Sequence, residues 1–132
     1  MNNITRRAAT MVGALATATS LVAMAPAQAV ELAPSHVTVH CTDFTPAAGQ
    51  TFRLWGAVWS EGERVPATIR VKTYLNGRWV QLKGAVMSTN RDNRYKIRII
   101  LHLKGDQRLR VIGDPKDDHI QVARKTITVT VH

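Results

Sequence analysis

Val65-Pro-Ala-Thr-Ile-Arg-Val-Lys-Thr-Tyr-Leu-Asn-Gly-Arg-Trp-Val-Gln-Leu82 holds two runs of alternating apolar and polar residues that meet at Asn76-Gly77. That dipeptide suits a two-residue type I′ turn, which needs positive φ at both central positions; Asn tolerates it and Gly takes it freely. The turn sets a register in which Leu75 faces Arg78, Tyr74 faces Trp79, Thr73 faces Val80 and Val71 faces Leu82. Side chains alternate across a strand, so Ile69, Val71, Thr73, Val80 and Leu82 share one face. Arg70, Lys72, Tyr74, Trp79 and Gln81 share the other. One face is apolar and must be covered; the other is basic and aromatic.

Outward from the hairpin the chain repeats this grammar. Val37 to Cys41 alternates before the breakers Thr42-Asp43 and Pro46-Ala-Ala-Gly49. Thr51 to Trp59 sets Phe52, Leu54 and Val58 against Arg53, Trp55, Ala57 and Trp59, and Ser60-Glu-Gly-Glu63 closes it. After the hairpin come a brief strand at Ala85–Thr89, a tight turn at Asn90-Arg-Asp-Asn93, and a stripe of Tyr95, Ile97, Ile99, Leu101 and Leu103. Gln107 to Ile112 and Lys125 to Val131 are the last strands, separated by the loop Gly113-Asp-Pro-Lys-Asp-Asp118. No segment beyond the N-terminus sustains a helical period. Short strands with turns about every ten residues predict an all-β fold, an antiparallel sandwich of seven or eight strands. Two sheets packed face to face cover the apolar sides that a lone hairpin would leave in water.

The N-terminus reads differently. Arg6 and Arg7 precede an apolar stretch of small residues from Ala8 to Ala25, and Ala27-Gln28-Ala29 fits a small-x-small cleavage pattern. This predicts a secretory signal peptide over residues 1–29 and a folded domain over 30–132. The competing reading is a membrane anchor, disfavoured because Ala, Thr and Gly dominate a stretch at the short end of spanning length. Thr5-Arg6-Arg7 hints at twin-arginine export. The predicted mature chain has 103 of the 132 residues, enough for one domain. It keeps 16 of the 18 basic residues against 9 acidic ones, a net charge of +7. That balance favours anionic cell-wall polymers, acidic glycans or lipid headgroups, and the competing reading is a soluble basic surface with no particular ligand; an exported chain seldom meets nucleic acid, and no membrane span is expected in the mature chain.

The order Gly49-Gln-Thr-Phe-Arg-Leu-Trp-Gly56, Val65-Pro-Ala-Thr-Ile-Arg-Val71, Gly77-Arg-Trp-Val-Gln-Leu82 and Thr89-Asn-Arg-Asp-Asn-Arg-Tyr95 resembles the bacterial Ig-like domains of exported actinobacterial proteins. Such domains carry a Gly-x-Trp-x-x-Leu strand and a Thr-x-x-Asp-Gly-x-Tyr turn. Asn93 stands where they usually have Gly, and Asn is the next best residue for a left-handed position. The resemblance implies an Ig-like fold and habits of adhesion, spacing and polymer binding, with no specific function attached.

Catalytic and metal chemistry finds little support. Cys41 is the single cysteine, so no intramolecular disulfide is available. Its alternation with Val37 and Val39 predicts burial on the apolar face; the alternative is an intermolecular bond. His36 and His40 lie roughly 13 Å apart on an extended strand at about 3.3 Å per residue, too far to share a metal ion. Asp114, Asp117 and Asp118 form the densest carboxylate group, a solvated loop or a calcium site. No cofactor is expected, and the chain is read as a non-enzyme.

The candidate partner surface lies on the outward faces: the basic pairs Arg70/Lys72, Lys96/Arg98 and Arg108/Arg110, and the indoles Trp55 and Trp59. Whether the pairs share one sheet stays open. So does the orientation of Trp55 and Trp59, because a bulge at Gly56 would turn one of them inward. The resemblance implies a structural position for Trp79, packed at the sandwich edge. The function expected is that of a small secreted binding or structural module contacting an anionic cell-wall polymer or glycan. The alternative is a small secreted enzyme or inhibitor acting through a loop, disfavoured because inhibitors of this size usually carry disulfides.

Overall fold

Asn76 and Gly77 adopt φ angles of 51° and 81°, the left-handed pair that a type I′ turn requires. Glu61 and Gly62 repeat the device at 52° and 81°, closing a second hairpin in which Ser60 faces Glu63. These features belong to a computed structural model that describes residues 31–132. The predicted signal peptide lies outside the described residues.

Among the described residues nine strands follow in order: β1 (His36–Val37), β2 (His40–Cys41), β3 (Thr51–Ser60), β4 (Glu63–Val65), β5 (Ala67–Leu75), β6 (Arg78–Ser88), β7 (Arg94–Ile100), β8 (Gly105–Pro115) and β9 (Ala123–Val131). They form a four-stranded sheet in the order β9-β8-β5-β6 and a five-stranded sheet centred on β3. β1 and β2 line one edge of β3, and β4 and β7 line the other. All these strand pairs are antiparallel, and the chain changes sheets at Pro66, between β4 and β5. The result is the predicted all-β antiparallel sandwich, with nine strands rather than seven or eight because the edge of β3 is shared by short segments. Among the described residues no helix is long and apolar enough to cross a membrane.

The inward side of each strand makes the core. Phe52, Leu54 and Val58 of β3 and Tyr95, Ile97 and Ile99 of β7 face Ile69 and Val71 of β5, Leu109 and Val111 of β8, and Val129 and Val131 of β9, all buried. Each large apolar side chain so buried is worth about 1.5–3 kcal/mol relative to exposure. The sheets meet so closely that a Cβ on Gly113 would collide with Val58.

Several expectations need correction. The hairpin register holds from Leu75↔Arg78 to Lys72↔Gln81, then slips, so that Arg70 pairs with Val86 and Val71 does not face Leu82. A bulge over Leu82–Ala85 takes up the extra residues, with Gly84 at φ 75°. The Gln81 amide donates to the carbonyls of Val71, Leu82 and Ala85, satisfying backbone groups the ladder has lost. The strand expected at Ala85–Thr89 is therefore the far half of β6. Leu103 is 58% exposed and outside the stripe, because β7 ends at Ile100. Gly113, Asp114 and Pro115 are strand residues rather than loop, with Gly113 between Ile69 and Ala123.

That last change divides the acidic cluster. Asp114 lies on β8 beside Arg70, at 3.8 Å. Asp117 instead accepts the His119 N–H within its own loop, a bond that holds its carboxyl below the ordinary value. Cys41 is half-buried rather than fully buried; it packs against the core, and its Sγ donates to the Asp43 carbonyl at 3.1 Å. Desolvation pushes its thiol pKa up.

Candidate functional site

The outward face of the five-stranded sheet can be laid out as rows crossing from the edge strand through β3. His36, Trp59 and Arg64 form one row. Opposite Ala57 stands Arg94, with Thr38 on its other flank. His40, Trp55 and Lys96 form the third row, and Arg53 and Arg98 the fourth. All these positions share the outward side because antiparallel partners do.

Two threonines shape the edge. The Ala57 N–H, which a regular ladder would aim at the Thr38 carbonyl, donates to Thr38 Oγ1 at 3.0 Å instead. The Arg53 N–H donates in the same way to Thr42 Oγ1 at 3.0 Å. The Thr38 carbonyl is thereby released inward, where the buried Tyr95 phenol donates to it at 2.7 Å. Burial raises the pKa of that phenol. Gly56 permits the arrangement, since a Cβ there would collide with the Thr38 carbonyl.

Ala57 sits between Trp55 and Trp59 along β3 and is itself 4% exposed. A methyl group between two indoles leaves a depression, of about 830 Å³, with Ala57 at its floor. Trp55 is 44% exposed and stacks on His40 with ring centroids 4.1 Å apart. Trp59 is half-buried between His36, at 6.5 Å, and the Arg64 guanidinium, 5.5 Å from its ring. Arg53, Arg64, Arg94 and Lys96 line the depression, and no Asp or Glu does. Arg53 and Arg98 stand directly opposite each other across the β3–β7 ladder, an arrangement that repels in the absence of a counter-charge.

Of the predicted surface, the structure brings together Trp55, Trp59, Lys96 and Arg98 on this face. Both indoles point outward, so the inward alternative for Trp55 and Trp59 is set aside. Arg70, Lys72, Arg108 and Arg110 lie on the outward face of the other sheet, so the basic pairs divide between two surfaces. Trp79 lies there too, half-buried on the sheet face.

Sequence reasoning missed Arg53, Arg64, Arg94, His36 and His40 as surface partners. Arg94 was findable, since it precedes Lys96 and Arg98 at the same alternate spacing. The four-residue interval of His36 and His40 matches that of Trp55 and Trp59, as antiparallel partners must. Arg64 reaches Trp59 through the Glu61-Gly62 turn, whose first residue is an unusual choice for positive φ.

Neither a protein-family model nor a curated protein sequence matches the chain. Solved structures with similarity include the CARDB domain of a Pyrococcus furiosus protein, determined in complex with di-metal ions. It is 18% identical with a TM-score of 0.47 over 79% of this chain and 97% of that one. A β-glucosidase from Listeria innocua is 11% identical with a TM-score of 0.48, covering 74% of this chain and 16% of the enzyme. The sporulation control protein Spo0M from Bacillus subtilis is 9% identical with a TM-score of 0.40, over 74% and 49%.

Proposed function

We propose that the chain is a non-catalytic Ig-like module, exported from a bacterial cell, that holds an anionic cell-wall polymer or acidic glycan across the Trp55–Trp59 depression. The observation that carries this reading is the lining: two indoles with Arg53, Arg64, Arg94 and Lys96 around a floor of Ala57, without a carboxylate. Trp55 and Trp59 are four residues apart on an extended strand, about 13 Å at about 3.3 Å per residue, which suits an extended chain better than one compact ring. Indoles supply flat apolar contact, and guanidinium and ammonium groups supply charge-assisted hydrogen bonds. Stacking and ionic contact thus act on one ligand, where sequence alone left them as separate mechanisms.

Co-sedimentation of the purified protein with cell wall tests this reading. Binding is expected to fall between 0.1 M and 1 M salt, as the Debye length shrinks from about 10 Å to about 3 Å. Trp55→Ala with Trp59→Ala is expected to weaken binding at both salt concentrations. Binding that ignores salt, or that is as strong without both indoles as with them, overturns the proposal.

A further inference from the structure

The opposite face of the sandwich carries a second basic and aromatic surface, built on another plan. Arg108 places its guanidinium 4.2 Å from the Tyr74 ring centroid and 5.7 Å from that of Trp79, while Arg110 lies 4.0 Å over Trp79. Tyr74 and Trp79 meet edge to face at 5.2 Å. The rings hold the two guanidinium planes in place, so their N–H groups are positioned before any ligand arrives.

Lys72 is in register with Arg110, cation opposite cation. The acidic residues of this face are already engaged: Asp114 lies 3.8 Å from Arg70, and Asp106 accepts a hydrogen bond from Thr130 at 2.7 Å. Among the described residues no carboxylate lies within ion-pair distance of Lys72, Arg108 or Arg110. A like-charged, unpaired and preorganised cluster is complementary to a polyanion.

We propose that this platform binds a second anionic polymer chain, so that the module bridges two chains by its opposite faces. The bridging half of the proposal rests on the depression holding the first chain; the platform's own binding does not. The two faces point away from each other across sheets about 10 Å apart. A stiff polymer lying along one face therefore cannot also lie along the other.

Light scattering from mixtures of the protein with polygalacturonate, or with long-chain polyphosphate, reads bridging directly, and the two polymers separate carboxylate from phosphate ligands. Binding is followed in parallel with short oligomers of each, too short to be bridged. The intact protein is expected to raise scattering from at least one polymer. Arg108→Ser with Arg110→Ser is expected to lower scattering at least fivefold while oligomer binding persists at the depression. Lys72→Ser with Arg110→Ser is the second route to the same result should the first pair perturb folding.

Trp55→Ala with Trp59→Ala is expected to leave oligomer binding at the platform and also to abolish bridging. Lys104→Ser with Lys125→Ser removes equal charge away from both surfaces and is expected to scatter like the unaltered protein. The inference is overturned if the platform variants scatter normally, if the charge-matched control loses as much as they do, or if neither polymer is bridged. The depression alone is refuted if its variant still bridges while the platform variants do not.

Discussion

The two outward faces are written in the same residue types and the same period-two spacing, yet one is concave and the other is flat. On β3 the outward series runs Arg53, Trp55, Ala57, Trp59, and the methyl of Ala57 opens a gap between two indoles. On β5 and β8 the outward series Arg70, Lys72, Tyr74 and Arg108, Arg110, Ile112 contain no small residue. Their long side chains lie over one another, guanidinium on ring, and close the surface. Alternation decides which face a residue occupies; the volume of its row neighbours decides whether that face can enclose anything. The concave face has a further requirement, a Thr38 carbonyl turned inward and held by Tyr95.

Breaking that requirement is expected to give the largest effect. Gly56→Val would force a branched side chain into the Thr38 carbonyl, at a φ of 158°. A loss of about 2–4 kcal/mol is expected in denaturant unfolding, with oligomer binding lost at the depression before it is lost at the platform. A midpoint within error of the unaltered protein would show that the edge strand moves freely away from β3. Gly77→Val tests the flat face, since Gly77 sits at φ 81° in the turn that pairs Tyr74 with Trp79. The expected loss is about 1–3 kcal/mol. An unchanged midpoint would mean that the stacked rings, rather than the turn, set the register.

These two glycines also mark how much the sequence disclosed. Asn76-Gly77 announces its turn locally, because its chemistry suits one turn type, and of the four pairs read beside it Leu75–Arg78, Tyr74–Trp79 and Thr73–Val80 hold. The slip beyond Lys72 was hidden, since nothing in Leu82-Lys-Gly-Ala85 states that the Gln81 amide will satisfy three carbonyls. Pro115 and Gly113 looked like loop residues because their types break strands. In the fold Gly113 is needed for the close approach of Val58, and Pro115 sits at the end of its strand. The depression was half readable: alternation put Trp55, Trp59, Lys96 and Arg98 outward, whereas Arg64 and the histidines joined them only through strand pairing. Which basic pairs shared a surface depends on sheet order, which is a long-range property.

A smaller effect is expected from Tyr95→Phe, which removes the donor to the Thr38 carbonyl and keeps the ring in the core. The cost should be about 1 kcal/mol, with weakened binding at the depression and unchanged binding at the platform. The same residue gives a pH test. Burial raises the folded-state pKa of Tyr95 above the ordinary tyrosine value of about 10, so the unfolded chain ionises first. Its contribution is fully present below about pH 10 and is lost as the pH rises further. Unfolding midpoints measured from pH 8 to pH 11 should therefore fall more steeply for the unaltered protein than for Tyr95→Phe. Parallel curves would place the alkaline loss elsewhere.

The smallest change in stability belongs to the flat face. Arg70 and Asp114 lie 3.8 Å apart with side chains 43% and 49% exposed, and ion pairs so open to water contribute about 0–1 kcal/mol, less in salt. Asp114→Asn should therefore move the unfolding midpoint by less than about 0.5 kcal/mol. Its effect on binding should be visible all the same. The substitution removes the negative charge nearest Arg70 and leaves Asp106, hydrogen-bonded to Thr130, as the remaining carboxylate on the face of Arg70, Lys72, Arg108 and Arg110. Short anionic oligomers should then bind more tightly at the platform at 0.1 M salt, with the gain fading by 1 M, and no change at the depression. A gain shared equally by both faces would show that net charge alone governs binding. A gain confined to the platform would show that the two surfaces act separately, because Asp114 is in contact with one of them and is shielded from the other by the core.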